Sequence, residues 1–220
     1  MTIDKEDLLN SIVESLDRIK YIKLDDIPNI DLYMDQVTTF MDKKLKNTTR
    51  NPEEDKILTK TMINNYAKND LLPPPVKKKY SREHILLLIF IYYYKGILTI
   101  NDIQTILNPI TEQFFQREDF GMKEIYEEVF GLEKNEVDLL KDDVIRKFDV
   151  SKETFQNAPE ESQEFLQLFS FLCMLSFDVY VKKLLIEKVV DNMGKPAGNQ
   201  DRKESRGKKE DKAGKTDKEG

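Results

Sequence analysis

The run Met62-Ile63-Asn64-Asn65-Tyr66-Ala67-Lys68-Asn69-Asp70-Leu71-Leu72-Pro73-Pro74-Pro75-Val76-Lys77-Lys78-Lys79-Tyr80-Ser81 decides the reading of this chain. It opens as a short helix capped by Thr59, with Leu58, Met62, Ile63 and Tyr66 facing inward. Lys60, Thr61, Asn64, Asn65 and Lys68 are its polar residues. The prolines at 73–75 end it, because each lacks an amide donor and restrains its predecessor. Val76–Tyr80 then reads as short, basic and extended, with Ser81 capping the next helix. Asparagine can contact adenine bidentately in the major groove, and lysine neutralises phosphate. A polar helix beside a basic loop would cover a groove and its flanking backbone. The expected contacts to double-stranded DNA are Lys60, Thr61, Asn64, Asn65, Lys68, Lys77, Lys78, Lys79 and Tyr80. The plainer alternatives are a solvated lysine loop, surface asparagines, and packed tyrosines at 66 and 80.

Outward from this run, residues 82–95 are apolar on nearly all sides and predict a central helix ended by Gly96. Thr99 or Asn101 starts a helix through Leu107, and Asn108-Pro109 is expected to stop it. Upstream, Asp4–Ile22 carries an amphipathic stripe of Leu8, Leu9, Ile12, Val13, Leu16 and Ile19. Asp31 is the expected cap of a second helix with Leu32, Met34, Val37, Phe40, Met41 and Leu45 inward. Lys46–Asp55 is a polar connector. Downstream, helices are expected over Thr111–Arg117, Lys123–Phe130, Lys134–Phe148 and about Glu160–Asn192. From Gly194 on, Ala197 and Ala213 are the only hydrophobic residues, too few to fold, so the tail is expected to be disordered.

The same string resembles the DNA-binding domain of the MerR family of bacterial regulators. There a recognition helix reading Thr-Ile-Arg-Tyr-Tyr precedes Gly-Leu-Leu-Pro-Pro, a basic wing ending in Tyr-Ser, and a Leu/Ile-rich helix. Tyr66, Lys68, Leu71, Leu72, Pro73, Pro74, Tyr80 and Ser81 match in place, as do Leu98, Thr99, Ile100, Asp102 and Ile103. The resemblance implies a winged helix-turn-helix whose first helix lies near Tyr33–Leu45. This sequence departs from the pattern at Asn64 (Arg there), Asn65 (the first Tyr) and Asp70 (Gly). The wing is shorter and the connector between the two helices longer, so base preference does not transfer. Most of residues 5–150 also look like a small group of uncharacterised bacterial proteins defined only as a domain of unknown function.

Net charge is −6 over 220 residues, yet its distribution is uneven. Lys56, Lys60, Lys68, Lys77, Lys78, Lys79 and Arg82 face Asp70 alone over residues 56–82, inside an otherwise acidic chain. Local field, not net charge, decides where a polyanion docks. One His and one Cys cannot build a zinc site, a hydrolytic triad or an internal disulfide. His84 reads as a hydrogen-bonded structural residue and Cys173 as a buried, unreactive thiol. Carboxylate pairs such as Glu127-Glu128 and Asp142-Asp143 read as solvated helix faces. The apolar runs Ile85–Tyr94 and Phe165–Phe177 fall short of the ~20 residues a membrane span needs.

These readings combine into a mainly α chain. Residues 1–29 form an N-terminal helix, 30–108 the winged helix-turn-helix, 109–192 an acidic helical region and 193–220 a tail. The expectation is a cytoplasmic, non-enzymatic transcription regulator that needs no cofactor and is open to an unspecified effector. Phe165, Leu168, Phe169, Leu172 and Leu175 are expected to pair two copies as a homodimer. The alternative from another class is a helical protein–protein adaptor that kept the fold and lost DNA affinity.

Overall fold

A computed structural model of the chain describes residues 4–17 and 21–194. The described residues are mainly helical, with one two-stranded sheet. The order is α1 (Lys5–Asp17), β1 (Leu32–Tyr33), α2 (Met34–Leu45), α3 (Lys60–Lys68), β2 (Lys79–Tyr80), α4 (Arg82–Tyr94), α5 (Ile100–Phe114), α6 (Met122–Gly131), α7 (Glu133–Lys152) and α8 (Glu160–Met193). Short 3₁₀ turns at Leu24–Asp26 and Lys46–Thr48 flank β1 and α2.

Helix α4 is the centre. His84 to Ile91 are all buried, so the helix has neighbours on every side, as its all-round apolar sequence requires. Around it pack Val37, Met41 and Leu45 of α2, Ile63 and Tyr66 of α3, Ile103 and Leu107 of α5, and Met122 and Tyr126 of α6. Ile22, Leu24 and Ile27 close one side, where the Tyr126 hydroxyl donates to the Ile22 carbonyl at 2.6 Å. Ile22 belongs to this core and residues 21–23 are not helical, so the helix expected over Asp4–Ile22 does not reach Ile22; Ile19 of its stripe lies outside the described residues. A smaller second cluster joins Leu9 of α1, Phe148 of α7 and Phe171 of α8, with Ile12, Val13, Val144, Leu168 and Leu175 half-buried around it.

Several element ends differ from the sequence expectation for local reasons. The cap of α2 is Tyr33, not Asp31, because Leu32 and Tyr33 are taken up by β1; the Tyr33 amide donates to Gln36 Oε1 at 2.9 Å. Helix α5 runs through Pro109 to Phe114 and takes in the first residues of the separate helix expected at 111–117, whose last three residues are not helical. A mid-helix proline costs ~3 kcal/mol. Here Leu107 is buried, and Ile106, Ile110 and Phe114 pack on the main core; that packing carries the helix past it. The expected boundary at 108/109 thus falls inside one helix. Met62 points outward at 38% exposure, and Cys173 is exposed rather than buried. The expected tail lies outside the described residues, except for Met193 and Gly194.

Candidate nucleic-acid interface

Helix α3 and the hairpin after it form the candidate surface. Thr59 caps α3, its Oγ1 accepting from the Met62 amide at 3.1 Å. Ile63 and Tyr66 are buried, which turns Lys60, Thr61, Asn64, Asn65 and Lys68 outward; all five are exposed. The helix ends in a Schellman arrangement. The Leu71 amide donates to the Tyr66 carbonyl at 2.9 Å and the Asp70 amide to Ala67 at 3.4 Å. Asp70 holds φ 53°, a left-handed turn that glycine takes freely and aspartate tolerates better than most residues. Gln104 Nε2 donates to the Asn69 carbonyl and ties this end of α3 to α5.

The lysine triplet is a tight hairpin, not a simple extended run. Val76 and Lys79 exchange both backbone hydrogen bonds, at 3.1 and 2.9 Å, around Lys77 and Lys78 at φ 51° and 65°. Two central residues with positive φ make the type I′ turn that fits strand twist and normally selects Asn-Gly. Lysine at both positions is strained and leaves two exposed ammonium groups at the tip. Leu32 pairs with Tyr80 and Tyr33 with Lys79, so the hairpin is anchored to the strand leading into α2. Lys79 is half-buried, with its Nζ 5.2 Å from the centre of the Tyr33 ring. Tyr80 is 3% exposed, which removes it from the set of expected contacts. Its ring is filled by packing, edge-on to His84 at 5.6 Å.

His84 holds the base of this surface. Its Nδ1 accepts from the Ser81 amide at 3.0 Å, and its ring stands edge-on to Phe115 at 5.0 Å. Burial lowers its pKa, against the opposing pull of the Pro74 and Pro73 carbonyls and of Asp31. The ring thus joins Ser81 at the start of α4 to Tyr80 of β2 and to Phe115 just after α5. Beside it, Glu83 accepts from the Gln116 amide at 2.9 and 3.0 Å. Its carboxyl is raised by burial, against the lowering effect of that amide, with the Glu124 charge adding to the rise. Sequence reading passed over Glu83 and Gln104, whose partners lie 33 and 35 residues away.

Residues 22–129 match the model of a family described as a domain of unknown function, DUF1836. No curated protein and no solved structure matches the chain. The DUF1836 match spans the whole larger core, from Ile22 to Tyr126, with α3 and the hairpin inside it. It ends before α7, leaving out α1, α7 and α8 with their smaller cluster.

The expected pairing residues divide. Phe165, Phe169 and Leu172 are 69%, 52% and 53% exposed. Leu168 and Leu175 are half-buried against α1 and α7, so they serve the smaller cluster instead. Phe177, Val179 and Tyr180 extend the exposed side of α8. Among the described residues no helix is long and apolar enough to cross a membrane, and no group of three or more His, Cys, Asp or Glu could hold a metal ion.

Proposed function

We propose that residues 30–108 act as a winged helix-turn-helix that binds double-stranded DNA, with α3 as the recognition helix and the Lys77-Lys78 hairpin as the wing. One observation carries this reading. Five polar side chains share the outward face of α3, and a lysine hairpin is anchored next to it through β1 and β2. Asn64 and Asn65 read base edges, while Lys60, Lys68, Lys77, Lys78 and Lys79 meet phosphates. The protein works in the cytoplasm as a transcription regulator, by binding and not by catalysis. Two copies join through Phe165, Phe169 and Leu172 of α8, which gives the operator two-fold symmetry.

Fluorescence titration of genomic DNA fragments tests it. Five phosphate contacts per subunit would each contribute a slope of about −0.9 in log affinity against log salt. Changing Lys77, Lys78 and Lys79 to Glu should abolish binding without unfolding the chain, and Leu172→Asp should turn a sedimenting dimer into a folded monomer. Unchanged affinity in the lysine variant removes the hairpin from the interface, whereas no saturable DNA binding by the native chain ends the DNA reading. The adaptor reading would then stand, and a separate observation favours it: Lys60 pairs with Asp35 of α2, so part of the basic face is already neutralised.

A further inference from the structure

A cavity of about 130 Å³ lies where α1, α7 and α8 meet. Its apolar wall is Leu8, Phe148, Phe165 and Leu168. That is close to the ~150 Å³ apolar void that holds a benzene ring in an engineered protein. The polar groups of the wall are mostly satisfied by the protein itself. Ser151 Oγ donates to the Phe148 carbonyl at 2.6 Å. Gln167 Nε2 donates to the Lys152 carbonyl at 2.7 Å and the Thr154 carbonyl at 3.1 Å. Lys152 is paired with Glu6 at 2.7 Å and Asp149 at 3.5 Å.

Two charges of the lining stay open. Lys5 donates to the neutral Gln167 Oε1 at 2.7 Å and, among the described residues, has no carboxylate partner. An ammonium carries three donors, so two remain for a ligand. Glu164, half-buried on α8, has no cationic partner among the described residues and forms no ion pair with Lys5. An apolar slot flanked by one unpaired cation and one unpaired anion complements a zwitterion with an apolar side chain. We propose that this cavity binds a free apolar α-amino acid of the size of leucine or phenylalanine. Lys5 takes the carboxylate, Glu164 the ammonium group, and the side chain enters between Phe148 and Leu168. A simple carboxylate would leave Glu164 opposed, and an amine would leave Lys5 opposed. This proposal is independent of the DNA reading, since it can be tested without DNA.

The test is calorimetric titration of the full chain with L-leucine and L-phenylalanine, alongside 3-phenylpropionate and 2-phenylethylamine as half-charged analogues. Saturable binding of an amino acid is expected, with each half-charged analogue weaker by about tenfold or more, the size of one lost charged hydrogen bond. Lys5→Gln should weaken the amino acid and 3-phenylpropionate but not 2-phenylethylamine. Glu164→Gln should weaken the amino acid and 2-phenylethylamine but not 3-phenylpropionate, and Leu168→Trp should fill the slot and abolish binding. No saturable binding of either amino acid overturns the proposal. So does equal binding of toluene, binding that survives Leu168→Trp, or indifference to both charge substitutions in chains whose melting is unaltered.

Discussion

Helices α4 and α8 are both rich in apolar residues, yet the fold treats them oppositely. In α4 eight consecutive residues are buried. In α8, 34 residues long, only Gln167, Phe171 and Val190 are buried, while Phe165, Phe169, Leu172, Phe177, Val179 and Tyr180 face outward. The first helix has neighbours around its whole circumference. The second leans on α7 and, near its end, on α5, and meets α1 through Gln167 and Phe171. Apolar content thus supplies stability in one and an available surface in the other. The larger core is where substitutions should unfold the chain, and the α8 layer is where they should change association or ligand binding.

The strongest way to break this contrast is a matched pair of truncations. Leu87→Ala, in the centre of α4, should lose about 2–5 kcal/mol in urea unfolding, the range for a buried leucine leaving a cavity. Leu172→Ala should stay within about 0.5 kcal/mol for the isolated chain, as exposed substitutions do. Similar losses at both positions would mean that α8 is core after all.

Next in size is the charged joint between α7 and α8. Lys147, 7% exposed, pairs with Asp143 of α7 and Asp178 of α8. Burial pulls its pKa down, but the two carboxylates outweigh that and leave it raised. Lys147→Ala should cost about 1–3 kcal/mol, below the usual figure for a fully buried pair because both carboxylates are partly solvated. Asp143 is held below its ordinary carboxylate range chiefly by Lys147, with Arg146 at 2.5 Å adding to it. Hydrogen exchange should localise the loosening to α7 and α8 and leave α4 protected.

A smaller effect concerns pH. Burial depresses the pKa of His84 in the folded chain, while the unfolded chain titrates near 6.5. The unfolded state therefore takes up the proton first. The His84 contribution is complete above about 6.5 and is lost as pH falls from there through the lower folded value. His84→Gln, which can still accept from the Ser81 amide, should flatten the fall in urea midpoint between about pH 7 and 5. Glu83 acts in the opposite sense, since its raised pKa makes its contribution fade as pH rises past the carboxylate range. The informative quantity is the difference between the two chains. An identical pH profile would place the sensitive group elsewhere.

The smallest effects sit in the left-handed turns. Replacing Lys77 by Asn and Lys78 by Gly should relieve the strained hairpin and stabilise the fold by up to about 1 kcal/mol. The same change removes two ammonium groups, so DNA affinity should fall as folding stability rises. Affinity that rises with stability would mean that hairpin geometry matters more than charge.

Much of this was written locally in the chain. The caps Thr59, Ser81 and Thr99, the proline stop at 73–75, the left-handed Asp70 and the all-round apolar α4 follow from residues within a few positions of one another. Such features depend on short-range sterics and hydrogen bonds that the sequence states directly. Long-range packing decided the rest. Pro109 lies inside a helix because the side chains around it find a core, and Leu32-Tyr33 becomes a strand because Lys79-Tyr80 lies 47 residues on to receive it. Cys173 is exposed because α8 is covered on one side only. The cavity between Lys5 and Glu164 joins residues of α1 to residues of α7 and α8 far along the chain, so no local pattern could announce it. Spacing along a helix says which residues share a face, whereas only the tertiary neighbours say whether that face is covered.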